Sequence, residues 1–266
     1  MKSFTTRISE HIIKKKSHLC VGLDISPEGL GNKNAKISDL IDHSLKIVDA
    51  TIDLAVSYKP NLAFFERWGS EGFKWLEKIN GYIGNNSIII ADGKRGDIGN
   101  TAKQYAISIF DYFGFDAVTI NPYMGSDSIK PFIENPEKGV FVLCRTSNKS
   151  ALELQDLKVG KENLFEQVAK LAVELNIYDN IGLVVGATVP SEIRKIRNIA
   201  PKLPFLIPGI GAQGGDLEKS MQYGNDNGVA LINISRGISF AGDMSSRAIR
   251  NSAQDYVEKM REIING

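Results

Sequence analysis

Eight apolar runs of strand length recur along this 266-residue chain, beginning near Leu19, Leu54, Ile88, Ala117, Val140, Ile181, Phe205 and Val229. None shows the polar alternation of a strand with one face in water, so each reads as buried on both faces. Helical patterns fall between them: Ile37 to Ile52, Phe73 to Ile79, Ala102 to Phe113, Ser128 to Ile133, Leu164 to Leu175, Ser191 to Ile199 and Leu217 to Tyr223. A last one runs from Ser245 to Ile264. Strands of this kind alternating with helices specify a parallel sheet covered on its outer face. Eight units in this length predict an α/β fold, a closed (β/α)8 TIM barrel forming a single domain over residues 1–266. A short helix from Ser3 to Lys16 precedes it. An open doubly wound sheet is the rival, but the first turn, Gly22-Leu23-Asp24-Ile25-Ser26-Pro27, lacks the glycine-rich fingerprint that fold needs.

No linker rich in Pro, Gly or Ser splits the chain. The longest non-periodic connections are Ser26 to Lys36 and Thr146 to Gly160; the second follows the fifth strand, where lids and binding loops form. A formal net charge of +1 offers no footprint for nucleic acid or an anionic membrane. Cys20 and Cys144 each lie in an apolar run, which favours buried free thiols in a reducing compartment over a disulfide or a metal site. The N-terminus has no apolar signal core and no run is long enough to span a bilayer, so the cytoplasm is the expected location. In the first helix Phe4, Ile8 and Ile12 share a face, and Lys14-Lys15-Lys16 reads as a solvated end that complements the helix dipole.

The third strand turns abruptly from Ile88-Ile89-Ile90 into Asp92, Lys94 and Asp97. Side chains two apart on a strand share a face, so Asp92 and Lys94 should project together at its C-terminal end. Gly93, Gly96 and Gly99 let the backbone turn, and Asn100 or Thr101 can cap the following helix. A lysine between two carboxylates is a poised proton donor, its charged form favoured. The plainer reading of such a pattern is a solvated salt-bridge turn.

The other strand ends weigh against that reading. In chain order they carry Asp24, Lys59 and Asn61, then Asn121, Arg145-Thr146-Ser147-Asn148, Thr188, Gln213 and Ser235-Arg236. Active sites of this barrel lie at that end of the strands. The loops after strands seven and eight, Pro208 to Asp216 and Ser235-Arg236-Gly237, match its usual phosphate site, with backbone N–H groups and a helix N-terminus facing the anion. Arg236 would add a fork of charged donors and Gln213 an amide. His11, His18 and His43 read as surface or partly buried residues away from the strand mouths, and no metal site or serine or cysteine nucleophile motif is apparent.

Taken in order, Val21-Gly22-Leu23-Asp24, Tyr58-Lys59-Pro60-Asn61, Asp92 to Thr101, Pro208-Gly209-Ile210-Gly211-Ala212-Gln213 and Ser235-Arg236-Gly237 resemble the orotidine 5′-phosphate decarboxylase family. Asn61 and Val185-Gly186-Ala187-Thr188 are similar to its longer, type 2 branch. The resemblance covers nearly the whole chain, and D-x-K-x-x-D-I-x-x-T is its most specific part. It implies a homodimer, free of cofactor and metal, that converts orotidine 5′-monophosphate to UMP and CO2 in the last step of de novo UMP biosynthesis. Carried over by residue, Lys59, Asp92, Lys94 and Asp97 match the charged tetrad, with Lys94 the proton donor to C6. Asp97, Ile98 and Thr101 would reach into the neighbouring subunit's site. Asp24, Lys59 and Asn61 would meet the ribose hydroxyls, and Ser147, or equally Thr146, the pyrimidine edge. Gln213, Ser235 and Arg236 would hold the phosphate, with Pro208 also at the substrate.

That chemistry asks for these residue types. Loss of CO2 from C6 leaves a carbanion with no adjacent π-system, and an ammonium at that carbon both stabilises and protonates it. Two other readings stand beside this one. A sugar-phosphate decarboxylase or hexulose-phosphate aldolase on the same barrel would use a divalent cation. A phosphate-ligand sensor would have kept the barrel and lost the chemistry.

Overall fold

The barrel staves follow directly from the apolar runs. In the computed structural model, which describes residues 2–211 and 214–266, eight parallel strands close on themselves. They are β1 Leu19–Leu23, β2 Ser57–Pro60, β3 Ile88–Arg95, β4 Ala117–Ile120, β5 Gly139–Arg145, β6 Ile181–Val185, β7 Phe205–Pro208 and β8 Ala230–Ile234. Each pairs with its neighbours in chain order, and β8 closes on β1 with Leu19 opposite Ile232. The helices are α1 Phe4–Lys15, α2 Ile37–Thr51, α3 Leu62–Glu66, α4 Gly69–Ile83, α5 Gly99–Ile107, α6 Ser126–Ile133, α7 Leu164–Leu175, α8 Pro190–Ile199, α9 Leu217–Gly224, α10 Arg236–Ser239 and α11 Ser246–Asn265. No helix among the described residues is long and apolar enough to cross a membrane.

Strand alternation sorts the core into two layers. One set, including Leu19, Val21, Ile89 and Leu183, packs outward against the helices. The other, including Cys20, Val56, Ile88, Ile90, Phe141, Leu206 and Leu231, fills the barrel interior. Phe4 and Ile8 of α1 join this inner layer, and the Phe4 ring meets Phe141 edge-on at 5.9 Å. The first helix is therefore a stopper at the strands' amino ends. Cys20 and Cys144 are free, buried thiols, as their apolar runs predict.

Several expectations need correction. Leu54 and Val56 are buried, but the second strand starts only at Ser57; the apolar residues before it belong to the turn out of α2. Apolarity there reports burial rather than strand. Neither Asn100 nor Thr101 caps α5: the Asp97 carboxylate accepts from Ile98 N, the helix starts at Gly99, and both residues already lie in its first turn. Beyond Ile107 that helix widens into a π turn, Ser108–Tyr112. Lys15 is not a solvated helix end, because its ammonium donates to Ile52 O, Ala55 O and Ser87 Oγ at 2.8, 2.6 and 2.5 Å. Burial, with Lys14 adding to it, lowers its pKa to about 8. His43 is buried rather than surface-lying, bonded to Ser239 O at 2.7 Å and stacked on Phe240. The loop after β5 folds a small antiparallel hairpin, Lys158–Val159 with Glu162–Asn163.

Candidate active site

β3 supplies the centre of the site. Ile88 and Ile90 point into the barrel, and Asp92 continues that face to the carboxyl end. There the ladder to β4 slips: Ala91 is opposite Val118 and Arg95 opposite Ile120, so Asp92, Gly93 and Lys94 all face Thr119. Lys94 takes a left-handed backbone, φ 46°. Its ammonium thereby lies 2.5 Å from Asp92 Oδ1, while Lys59 Nζ at the end of β2 donates to Asp92 Oδ2 at 2.6 Å. Thr119 Oγ1 also donates to Asp92 Oδ1, at 3.0 Å.

The electrostatics follow from depth. Burial opposes the charge on Asp92, but Lys59 and then Lys94 outweigh it and hold the carboxyl well below the usual carboxylate range. Burial likewise opposes the Lys59 charge, and Asp92 with Asp24 outweighs it, raising that pKa. The Lys59 side chain is 5% exposed and that of Lys94 50%. Lys59 is thus locked against the carboxylate, and Lys94 has one side open to the mouth.

Above this array is a cavity of about 520 Å³. Asp24, Asn61, Ser147, Pro208, Ser235 and Arg236 line it together with Lys59, Asp92 and Lys94. The structure brings these nine sequence-designated residues to one place. Asp24 Oδ1 and Ser235 Oγ are buried there without a hydrogen-bond partner among the described residues, so a ligand with hydroxyl or phosphate groups would satisfy them. Two glycines permit the close packing. A Cβ on Gly22 would lie 2.6 Å from Ser235 Cβ, and one on Gly186 would lie 2.9 Å from Ser147 N. Thr146 lines the cavity too, but its hydroxyl is bonded to Asn148 and Gln155.

Three designated residues are not brought in. Asp97, Ile98 and Thr101 do not line the cavity; Ile98 is 56% exposed, and among the described residues Asp97 makes no ion pair. Lys94 is therefore flanked within this chain by Asp92 and not by Asp97. Gln213 lies outside the described residues. At the helix after the seventh strand, Asp216 caps α9 by accepting from Lys219 N at 2.9 Å. Arg236, which opens α10 directly after β8, remains the charged donor on that side.

Thr119, Asn233 and Gln155 also line the cavity and were not singled out from the sequence. For the first two a signal existed: each is a lone polar residue in an otherwise apolar, fully buried strand. Gln155 lies in the non-periodic loop, where nothing in the pattern marks it. No cluster of three or more His, Cys, Asp or Glu able to hold a metal occurs among the described residues.

Charge gathered at the carboxyl end of a parallel barrel, over an apolar interior, defines a barrel enzyme that works on a small anionic molecule. Comparison with known proteins narrows this further. The model of the Orotidine 5′-phosphate decarboxylase / HUMPS family matches residues 17–250, and the chain belongs to that family. It is similar to the orotidine 5′-phosphate decarboxylase of Dehalococcoides mccartyi, 45% identical over 98% of this chain and 97% of that protein. The Halorubrum lacusprofundi protein of the same name is 46% identical, with 99% of each chain covered. Among solved structures, Leishmania donovani OMP decarboxylase superposes with a TM-score of 0.88 at 40% identity, covering 99% of this chain and 100% of that one. Leishmania donovani UMP synthase gives 0.89 at 40% identity over 99% of this chain, which spans only 57% of that longer protein. The chain is an enzyme, a carboxy-lyase of this family.

Proposed function

We propose that this chain decarboxylates orotidine 5′-monophosphate to UMP and CO2 as the last step of de novo UMP biosynthesis, with Lys94 protonating C6. The observation that carries the reading is the Lys59–Asp92–Lys94 array beneath a cavity of about 520 Å³ with Arg236 in its lining, in which Lys94 alone of the three has a half-open side chain. With phosphate at Arg236 and Ser235, and ribose hydroxyls at Asp24, Lys59 and Asn61, the base meets the Lys94 ammonium. Ser147 then faces the pyrimidine edge. The ammonium balances the charge that develops as CO2 leaves, and gives its proton to the carbanion. Asp92 beside the departing carboxylate repels it, while the phosphate grip supplies binding energy remote from the reacting carbon.

The active form is a homodimer in which Asp97, Ile98 and Thr101 complete the neighbouring subunit's site. The exposure of Ile98 and Thr101, and the fact that none of the three lines this chain's own cavity, support that assignment. A metal-dependent relative would need carboxylate oxygens for its cation, and both oxygens of Asp92 are already bonded to ammonium groups.

The test mixes chelator-treated protein with orotidine 5′-monophosphate and follows the ultraviolet change to UMP. Conversion that survives the chelator is the expected outcome. Conversion that needs an added divalent cation would favour the metal-dependent relatives. Tight UMP binding without turnover would favour a sensor.

A further inference from the structure

At the site's centre β3 carries Asp92, Gly93 and Lys94 across the span where β4 carries only Thr119. Extra residues of this kind leave ladder groups unpaired and bend the strand. Thr119, only 1% exposed, replaces the missing ladder contact with its side chain: Oγ1 accepts from Lys94 N at 3.0 Å and donates to Asp92 Oδ1 at 3.0 Å. Lys94 meanwhile stands at φ 46°, a conformation that L side chains rarely adopt and that persists only where its surroundings enforce it. One hydroxyl therefore touches both halves of the catalytic pair.

We propose that Thr119 is a positioning residue. Its hydroxyl holds Lys94 in the left-handed conformation and Asp92 at a fixed angle, and the two together aim the Lys94 ammonium into the cavity. When Lys94 passes its proton to the carbon and becomes an amine, Thr119 and Lys59 remain bonded to Asp92, so the carboxylate stays in place until water returns the proton. The kinetic part of this inference rests on the decarboxylase reading; the geometric part does not.

Thr119→Val keeps the branched shape and removes both contacts, whereas Thr119→Ser keeps them. The valine variant should lose about tenfold or more in kcat on orotidine 5′-monophosphate, because a displacement of about 1 Å at the reacting group is enough for that. UMP affinity should stay within about threefold, and serine should restore kcat to about that margin. A crystal structure of the valine variant should show Lys94 out of the left-handed region or its ammonium parted from Asp92. Unchanged kcat in Thr119→Val overturns the proposal, as does an equal loss of kcat and UMP affinity or a serine variant as impaired as valine. Should the parent protein not turn over orotidine 5′-monophosphate, the decarboxylase reading fails, and the crystal structure alone decides: an unmoved Lys94 overturns the inference.

Discussion

Replacing Lys59 by methionine removes the ammonium 2.6 Å from Asp92 Oδ2 while keeping most of the side chain's volume. At an effective dielectric of about 20, unit charges at that separation attract by about 6 kcal/mol. Taking both groups out of water, at 5% and 10% exposure, opposes much of that attraction. Removing one partner and leaving the other buried should destabilise the fold by about 3 kcal/mol. The pH dependence follows from Asp92. Burial acts against its charge, but Lys59 and Lys94 hold its folded pKa below the ordinary value. Its contribution is thus present above the unfolded pKa of about 3.9 and is lost as pH falls below it. Without Lys59 the burial effect gains weight and the folded pKa rises. The variant's deficit should then be greatest near neutrality and shrink on acidification, as Asp92 takes up a proton. Urea denaturation followed by circular dichroism, at about pH 7 and about pH 5, reads both effects. The double variant Lys59→Met/Asp92→Asn, with neither charge, should recover most of the loss. A Lys59→Met protein as stable as its parent near neutrality, or a double variant no more stable than the single, would refute the reasoning.

Lys94→Ala should lower kcat by about a thousandfold or more while UMP still binds, since it removes a proton donor and leaves the phosphate side intact; near-normal turnover would remove Lys94 from its role. Arg236→Ala should weaken UMP binding about ten- to a hundredfold by calorimetry and leave uridine binding unchanged, as expected for one lost charge-assisted contact to phosphate. An equal loss for uridine would place Arg236 elsewhere on the ligand. Lys94→Ala and Asp97→Ala should each be inactive alone, yet co-expression should restore activity through mixed dimers with one intact site. No recovery, with mixed dimers present by mass spectrometry, would place Asp97 in its own subunit's site.

How legible this molecule is from its residues depends on scale. The eight staves could be read because strands buried on both faces have few polar interruptions, and two of these, Thr119 and Asn233, line the cavity. The end of the second run could be read and its beginning could not, because Leu54 and Val56 are buried as thoroughly in a turn as they would be in a strand. The five-residue α3 was missed because it is too short to show a period. The pairing of Asp92 with Lys94 followed from two-residue spacing. The slip opposite Thr119 that brings them to 2.5 Å did not, since register belongs to the partner strand. The basic run at the end of α1 shows the same limit: Lys14 and Lys16 are exposed, whereas Lys15 points inward onto carbonyls of the turn before β2.

The stopper helix has an electrical consequence. Lys59 and Asp92 sit above a hydrocarbon plug whose lowest members are Phe4 and Ile8, so their field can leave the barrel in one direction only, through the mouth. A plug of low polarisability below and a polar opening above act as an insulator and a lens, focusing the array's potential on whatever occupies the cavity. Were α1 to detach, water would wet the lower end of the plug and thin the low-dielectric layer beneath the same charges, although no residue at the mouth had moved. The first turns of the chain would then govern the field at a site on the opposite end of the barrel without touching it.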